Sequence, residues 1–155
     1  MDNNYRIIMF ACLKWGYGAA DLAGVSRMKY TPSVKIIKIR CTGRIDVKHI
    51  LYSIKNGADG VMIVGWRPNE CQFKAGNFTA QKHVDLANRI LKLRRFGTQR
   101  VNMYWCSSAE SEKLVKSIED TLGKLEQEGP NPLKSSSQVD IKAKKVLTTP
   151  AEWIL

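Results

Sequence analysis

The sequence has no long apolar run, and none of its hydrophobic stretches approaches the ~20 residues that a membrane-spanning helix requires. Its first residues are polar and acidic where a secretory signal would be basic, and no small-residue cleavage site follows them. These absences predict a cytoplasmic protein without a membrane span. With 155 residues, of which 44% are hydrophobic, the chain suits one globular domain with a core of its own.

Cysteine is scarce, and the close C-x2-C pairs of most zinc and iron–sulfur sites are missing. Four scattered thiols do not make the disulfide framework of a small secreted protein, so in the cytosol they indicate metal binding, redox chemistry or burial. There is no G-x-G-x-x-G, no P-loop and no recognisable acidic pair for acid–base catalysis. His49 and His83 lie on predicted helices without partner motifs and are expected at the surface. No catalytic residue is therefore assigned.

The net charge of +11 is concentrated in two groups, one between positions 27 and 44 and the other between positions 82 and 100. A basic surface can attract nucleic acid, an anionic cofactor or an acidic protein. It can equally be a solvated surface that keeps the protein soluble. Both interpretations stay open.

Strand-like and helix-like segments alternate along the chain. Apolar, β-branched stretches predict strands at 5–11, 34–40, 61–64 and 100–105. Helices are predicted at 20–28, from Asp46 as N-cap to Gly57, at 79–95, and after a capping box of Ser107 and Glu110. The Gly-rich stretch before position 20 is expected to be a loop. Such alternation predicts a four-stranded parallel sheet with helices on both faces, as in flavodoxin-like or Rossmann-like folds.

The character of the chain changes after Gly129, where prolines, a serine run and lysines replace any helical stripe. We predict an α/β domain over 1–128 and an extended tail over 129–155. The tail ends in Trp153, Ile154 and Leu155, whose apolar side chains are expected to bury against something. It is interpreted as an arm that docks on a partner, with packing against its own domain as the alternative.

All four cysteines follow predicted strands, and the carboxyl ends of parallel strands share one edge of a sheet, where sites are built. For the strand order 2-1-3-4, a spacing of ~4.8 Å brings Cys12 beside the Cys71 loop and puts Cys41 one strand away. Cys106 would lie on the far edge, ~14 Å from Cys41 by the same spacing. A site of Cys12, Cys71 and Cys41 is thus favoured over one with all four, although a buried cysteine is often plain packing.

Seven short motifs stand in order and nearly without gaps over residues 6–128. They are FAC at 10–12, GAAD at 18–21, AGVSRM at 23–28, CTGR at 41–44, GADGV at 57–61, GN at 76–77 and WCSSAE at 105–110. Together they resemble the delta subunit family of methyl-viologen-reducing hydrogenase. The resemblance implies a [2Fe–2S] subunit of anaerobic metabolism. Such a subunit passes electrons from a hydrogenase or similar dehydrogenase to the flavin-bearing subunit of heterodisulfide reductase.

Two departures from the family pattern concern tryptophan. The resemblance places a C-x-x-C at 12–15 and a second cysteine-containing motif at 65–72, so that Trp15 and Trp66 each stand in place of a family cysteine. Tryptophan offers no iron ligand, and its ring can fill the vacated volume. The usual four-cysteine site cannot form from matching positions alone. We therefore predict that Cys12 approaches the loop with Cys71, and that both tryptophans lie near the same pocket.

Two functions from different classes follow. In the first, the chain is a non-catalytic adapter subunit of an oxidoreductase complex, which has lost the cluster but retains its docking surfaces. In the second, it is an active [2Fe–2S] carrier with a rearranged ligand set. That set contains the matching cysteines Cys12, Cys41 and Cys71 as possible iron ligands, completed by Cys106 or by a partner's residue. Nucleic-acid binding is disfavoured, because the basic groups do not interleave with aromatic residues as in known modules.

Overall fold

A computed structural model of the chain describes residues 5–134. The strands are β1 (Ile7–Cys12), β2 (Val34–Ile39), β3 (Gly60–Gly65) and β4 (Val101–Trp105). The helices are α1 (Gly16–Val25), α2 (Val47–Lys55), α3 (Gly76–Leu93) and α4 (Ser111–Glu128), with a short 3-10 turn at Thr42–Arg44. Over this part of the chain, none of the helices is at once long enough and apolar enough to cross a membrane.

The four strands form one parallel sheet in the order β2-β1-β3-β4. This confirms the predicted fold class and the strand order that the cysteine argument used. The chain first winds outward from β1 to β2 and then reverses, so that β3 pairs on the other side of β1. The reversal lies between β1 and β3, which is where open α/β sheets build their sites.

Alternate residues of each strand supply two separate cores. Ile7 and Met9 of β1 face a core completed by α1 and α4, whereas Phe10 faces a core completed by α2 and α3. All six residues of β3 are buried, as expected for a central strand covered on both faces. The prediction of helices on both faces is therefore confirmed.

The expectation of a loop before position 20 is wrong, because α1 begins at Gly16 and includes the Gly-rich stretch. A Cβ at Gly16 would lie 2.6 Å from the Val64 carbonyl oxygen, and one at Gly18 would lie 3.0 Å from the Ser108 Cβ. The glycines let the first turn of α1 pack directly on β3 and on the loop after β4. Here they serve close approach rather than flexibility.

The predicted ends of the other helices are mostly found. Asp46 caps α2 in a capping box with His49, and Gly57 follows the helix with a φ of 89°. The last helix differs, because α4 begins at Ser111 and Ser107 is not its N-cap. Only one half of the predicted capping box forms, in which the Ser107 backbone N–H donates to the Glu110 carboxylate at 2.7 Å.

A buried polar network holds the start of β3 to the chain that follows α4. The Asp59 carboxylate, fully buried, accepts hydrogen bonds from the backbone N–H of Arg6 and of Asn131, both at 2.7 Å. It also pairs with the Lys134 ammonium at 2.9 Å. Buried Arg100 donates to the Asp59 backbone carbonyl at 3.0 Å. Residues 129–134 thus lie against the domain, while the rest of the predicted tail, 135–155, lies outside the described residues.

Candidate functional site

The candidate site lies at the carboxyl ends of β1 and β3, where the strand order reverses. Cys12 is the last residue of β1 and Gly65 the last of β3. By the alternation of β1, the Cys12 side chain points to the same face as Phe10, the face covered by α2 and α3. Cys41 follows β2 and Cys71 lies in the loop between β3 and α3.

Three of the four thiols form one group, in which Cys71 and Cys12 lie near enough to Cys41 to affect its ionisation. Burial is the main reason why the pKa of Cys41 is raised, and the two neighbouring thiols raise it further. A backbone hydrogen bond at Gly43 acts in the opposite direction. The Cys12 sulfur lies 3.8 Å from the Arg40 carbonyl oxygen, which accepts its weak hydrogen bond.

Two glycines leave the space that the Cys41 and Cys71 sulfurs occupy. A Cβ at Gly76, the first residue of α3, would collide with the Cys41 sulfur and lie 3.5 Å from the Cys71 sulfur. A Cβ at Gly43 would lie 2.7 Å from the Gly76 Cα. The backbones of the 3-10 turn and of α3 thus approach too closely for any side chain. The first residue of α3 must therefore be glycine for the Cys41 sulfur to occupy its position.

Trp15 and Trp66 stack on each other, with ring centroids 3.5 Å apart and planes inclined by 22°. Trp15 precedes α1 three residues after Cys12, and Trp66 directly follows β3. The pair therefore joins the chain segments that follow β1 and β3. The predicted convergence of the two tryptophans is confirmed, and both rings remain partly accessible.

Sequence reasoning missed the side chains that hold the loop after β3. Asn77, almost fully buried, donates from its amide to the carbonyl oxygens of Trp66 at 3.2 Å and of Arg67 at 2.7 Å. Arg67 in turn pairs with Glu110 at 2.6 Å. The Ser107 N–H and Arg67 together lower the pKa of Glu110 to about 2. The sequence offered one signal for this, because an Asn near a helix start often hydrogen-bonds to nearby backbone groups.

Cys106 lies apart from the other thiols. It is fully buried in the core formed by α1 and α4, together with Leu114 and Ile118. Burial raises the pKa of Cys106 to about 11. This environment is that of a small packed hydrophobe rather than of a ligand.

Each of the two histidines makes a hydrogen bond to a backbone group. The exposed His49 ring accepts from the Asp46 backbone N–H at 3.1 Å, and the half-buried His83 Nδ1 lies 2.7 Å from the Ile45 carbonyl oxygen. Within residues 5–134, no group of three or more His, Cys, Asp or Glu side chains is arranged to hold a metal ion. A [2Fe–2S] cluster takes four ligands, usually thiolates. The donor set that the described residues present does not fit one.

Fold and site together define a doubly wound α/β domain with a buried thiol group and a tryptophan pair at its switch point. Residues 7–129 match the family described as methyl-viologen-reducing hydrogenase, delta subunit. This match covers most of the chain, which therefore belongs to that family.

Three relatives illustrate the likeness. The vhu iron-sulfur subunit of the F420-non-reducing hydrogenase of Methanocaldococcus jannaschii is 42% identical over 129 residues, which are 83% of this chain and 96% of that protein. The corresponding protein from Methanococcus maripaludis is 40% identical over the same shares. The third relative is a component of the ferredoxin/F(420)H(2)-dependent CoB-CoM heterodisulfide reductase of Methanosarcina acetivorans. It is 35% identical over 80% of this chain but only 16% of its own length.

Proposed function

We propose that this chain is a cytoplasmic, non-catalytic adapter subunit of an oxidoreductase complex of the hydrogenase and heterodisulfide reductase kind. In this proposal it docks between a hydrogenase or another dehydrogenase and a flavin-bearing subunit without carrying a cluster of its own. The relatives support a redox complex, since they are named as iron–sulfur subunits of hydrogenases and as a component of heterodisulfide reductase.

The stacked pair of Trp15 and Trp66 carries the proposal. Both positions correspond to cysteines in the resemblance on which the prediction rests, and their rings are in direct contact at the switch point. Stacked rings bury apolar surface against each other. Two rings at van der Waals contact leave no room between them for an iron pair. The proposal is that aromatic packing has taken the volume of the cluster while the scaffold around it persists.

A second candidate is an active [2Fe–2S] carrier, and the proximity of the Cys12 and Cys71 thiols to Cys41 favours it. Three thiols would then hold the cluster together with a residue from a partner, since Cys106 lies in the other core. The cluster would supply one-electron transfer. This candidate predicts iron in the assembled complex.

The deciding measurement is the iron and acid-labile sulfide content of this subunit, isolated anaerobically within its native complex and then separated from its partners. We expect a colourless subunit with no stoichiometric iron. Two iron and two sulfide per chain would overturn the adapter proposal and establish the carrier. Reconstitution of the full chain with ferrous iron and sulfide provides the same comparison without the partners.

Back-substitution tests whether the tryptophans are the cause. The double variant Trp15→Cys, Trp66→Cys, reconstituted with iron and sulfide, should acquire the visible absorbance of a [2Fe–2S] centre. The matched control is Trp105→Cys, which adds a thiol at the end of β4 and should stay colourless. If the native chain gains the same absorbance as the double variant, the rings do not prevent cluster binding.

Assembly supplies an independent readout. Cys12→Ser removes one thiol but keeps the shape of the site, so the adapter proposal expects the variant to enter the complex in normal amount. Loss of assembly with this isosteric change would show that the thiol does more than pack. Co-purification of the variant with its partners measures the outcome.

A further inference from the structure

An apolar groove lies on the α2 face of the sheet and extends along β1 from Arg6 to Phe10, which stands two residues before Cys12. It encloses about 660 Å³ between β1, β2 and α2. Its lining residues are Arg6, Ile8, Phe10, Ile37, Lys48, His49, Tyr52, Ser53, Asn56 and Ala58. Ile37 and Tyr52 on its two walls are 43% and 41% exposed. The mainly apolar lining suits an apolar occupant better than a polar one, because a polar group buried there would lack partners.

Two polar lining side chains of α2, Ser53 and Asn56, already make hydrogen bonds within the helix. Ser53 donates to the His49 carbonyl at 2.9 Å, and Asn56 donates to the Tyr52 carbonyl at 2.7 Å. What remains for a ligand is apolar surface with two cations at its edge, Arg6 and Lys48, which form no ion pair with any described residue. The groove therefore suits an apolar segment with a neighbouring carboxylate, and offers little to a polar metabolite.

The described chain stops beside this groove. Lys134 pairs with the Asp59 carboxylate, which also accepts from the Arg6 backbone N–H, and Arg6 lines the groove. The Asn131 side chain donates to the carbonyls of Ile54 and Ala58, both at 2.7 Å. The last described residues, Asn131 and Lys134, consequently lie next to residues that line the groove.

The segment that follows Lys134 has the composition that the groove suits. Residues 135–155 contain Val139, Ile141, Val146 and Leu147, and then Trp153, Ile154 and Leu155 directly after Glu152. An extended chain spans about 3.3 Å per residue, so ten residues reach about 30 Å. The apolar residues are therefore within reach without any change in the domain. The family match ends at residue 129, so the segment lies beyond the part of the chain that the family shares.

We propose that the groove between α2 and β2 binds residues 135–155 of the same chain, with the apolar group at 153–155 against Ile37 and Tyr52 and Glu152 beside Arg6 or Lys48. The anchor at Asn131 and Lys134 makes the binding intramolecular, which raises the local concentration of the segment to roughly the millimolar range typical of short linkers. The inference does not depend on the proposed function.

Photo-crosslinking in the full-length chain tests the proposal. Tyr52 is replaced by benzoylphenylalanine, which keeps an aromatic ring at an exposed position of α2 and reacts with C–H bonds close to it. Irradiation should link position 52 to a peptide within 139–155, at the mass of a single chain. The matched control carries the same group at Leu86, which is 47% exposed on α3, and should give no such product.

Mixing unlabelled and isotope-labelled chains distinguishes the occupants. A product within one chain supports the proposal, whereas a mixed product shows a second copy in the groove and overturns it. Absence of any tail product at position 52, or equal products at positions 52 and 86, also overturns it. Hydrogen exchange provides a second measure. The triple variant Trp153→Ser, Ile154→Ser, Leu155→Ser should lose protection over 35–39 and 48–56, and unchanged protection would contradict the proposal.

Discussion

The buried polar groups at the two ends of the sheet differ in how fully they are hydrogen-bonded. At the amino end, Asp59 accepts three hydrogen bonds, and buried Arg100 donates to backbone carbonyls on three sides. At the carboxyl end, Cys12 and Cys41 are buried thiols with few partners, and Cys71 beside them is partly exposed.

This difference separates a structural network from a candidate site. A fully satisfied buried network holds distant parts of the chain together and has no capacity left for a ligand. Soft donors without strong partners keep their capacity for a ligand, as is typical of functional sites. We therefore interpret the network at the amino end as structural and propose that the functional site lies at the carboxyl end. The predictions below test that division.

The largest loss of stability is expected for Asp59→Ala. Without the carboxylate, the Arg6 and Asn131 N–H groups and the Lys134 ammonium lose a buried acceptor, at a cost of about 3 to 5 kcal/mol. Urea unfolding measures the change. The control Asp46→Ala removes an exposed helix cap and should cost about 1 kcal/mol. Equal losses for the two variants would contradict the structural role of the network.

A smaller loss is expected for Gly76→Ala at the carboxyl end. The new methyl group would collide with the Cys41 sulfur, and overpacking of this kind costs about 1 to 3 kcal/mol. Gly123→Ala is the control, because a Cβ there meets nothing within 4 Å and the position lies inside α4. It should stabilise the protein by about 0.5 to 1 kcal/mol. Alkylation of Cys41 and Cys71 should also change in Gly76→Ala alone, and unchanged rates would contradict the fitted pocket.

The sheet could be predicted from the sequence because each strand has a local signal. The β-branched runs, the cap at Asp46 and the stop at Gly57 all act within a few residues, and the structure has each of them. The spacing between strands was also enough to predict that Cys106 lies apart from the other thiols. Gly16 was misassigned because its role depends on contact with Val64, almost fifty positions away.

Other features could not be predicted, because they join residues with no shared pattern. Asp59 and Lys134 are 75 positions apart, and a lone buried carboxylate has no periodicity that marks it. The apolar groove exists because α2 leaves part of the sheet uncovered, and the strand sequences alone do not reveal this. Ile37 belongs to a well-predicted strand, yet its exposure depends on where α2 crosses the sheet.

The last prediction concerns alkaline pH and tests whether Cys106 is packing. Its pKa is raised to about 11 in the folded protein from an ordinary value of 9.0, so the folded state keeps a proton that the unfolded chain loses. The stability from this thiol is fully present below pH 9.0 and is lost as the pH rises to about 11. The loss should be about 3 kcal/mol, measured by urea unfolding across that range. Cys106→Ala should lower stability at pH 7 but flatten this part of the alkaline decline. An identical decline in the native chain and in Cys106→Ala would mean that the thiol already ionises in the folded protein, and its assignment to the core would then fail.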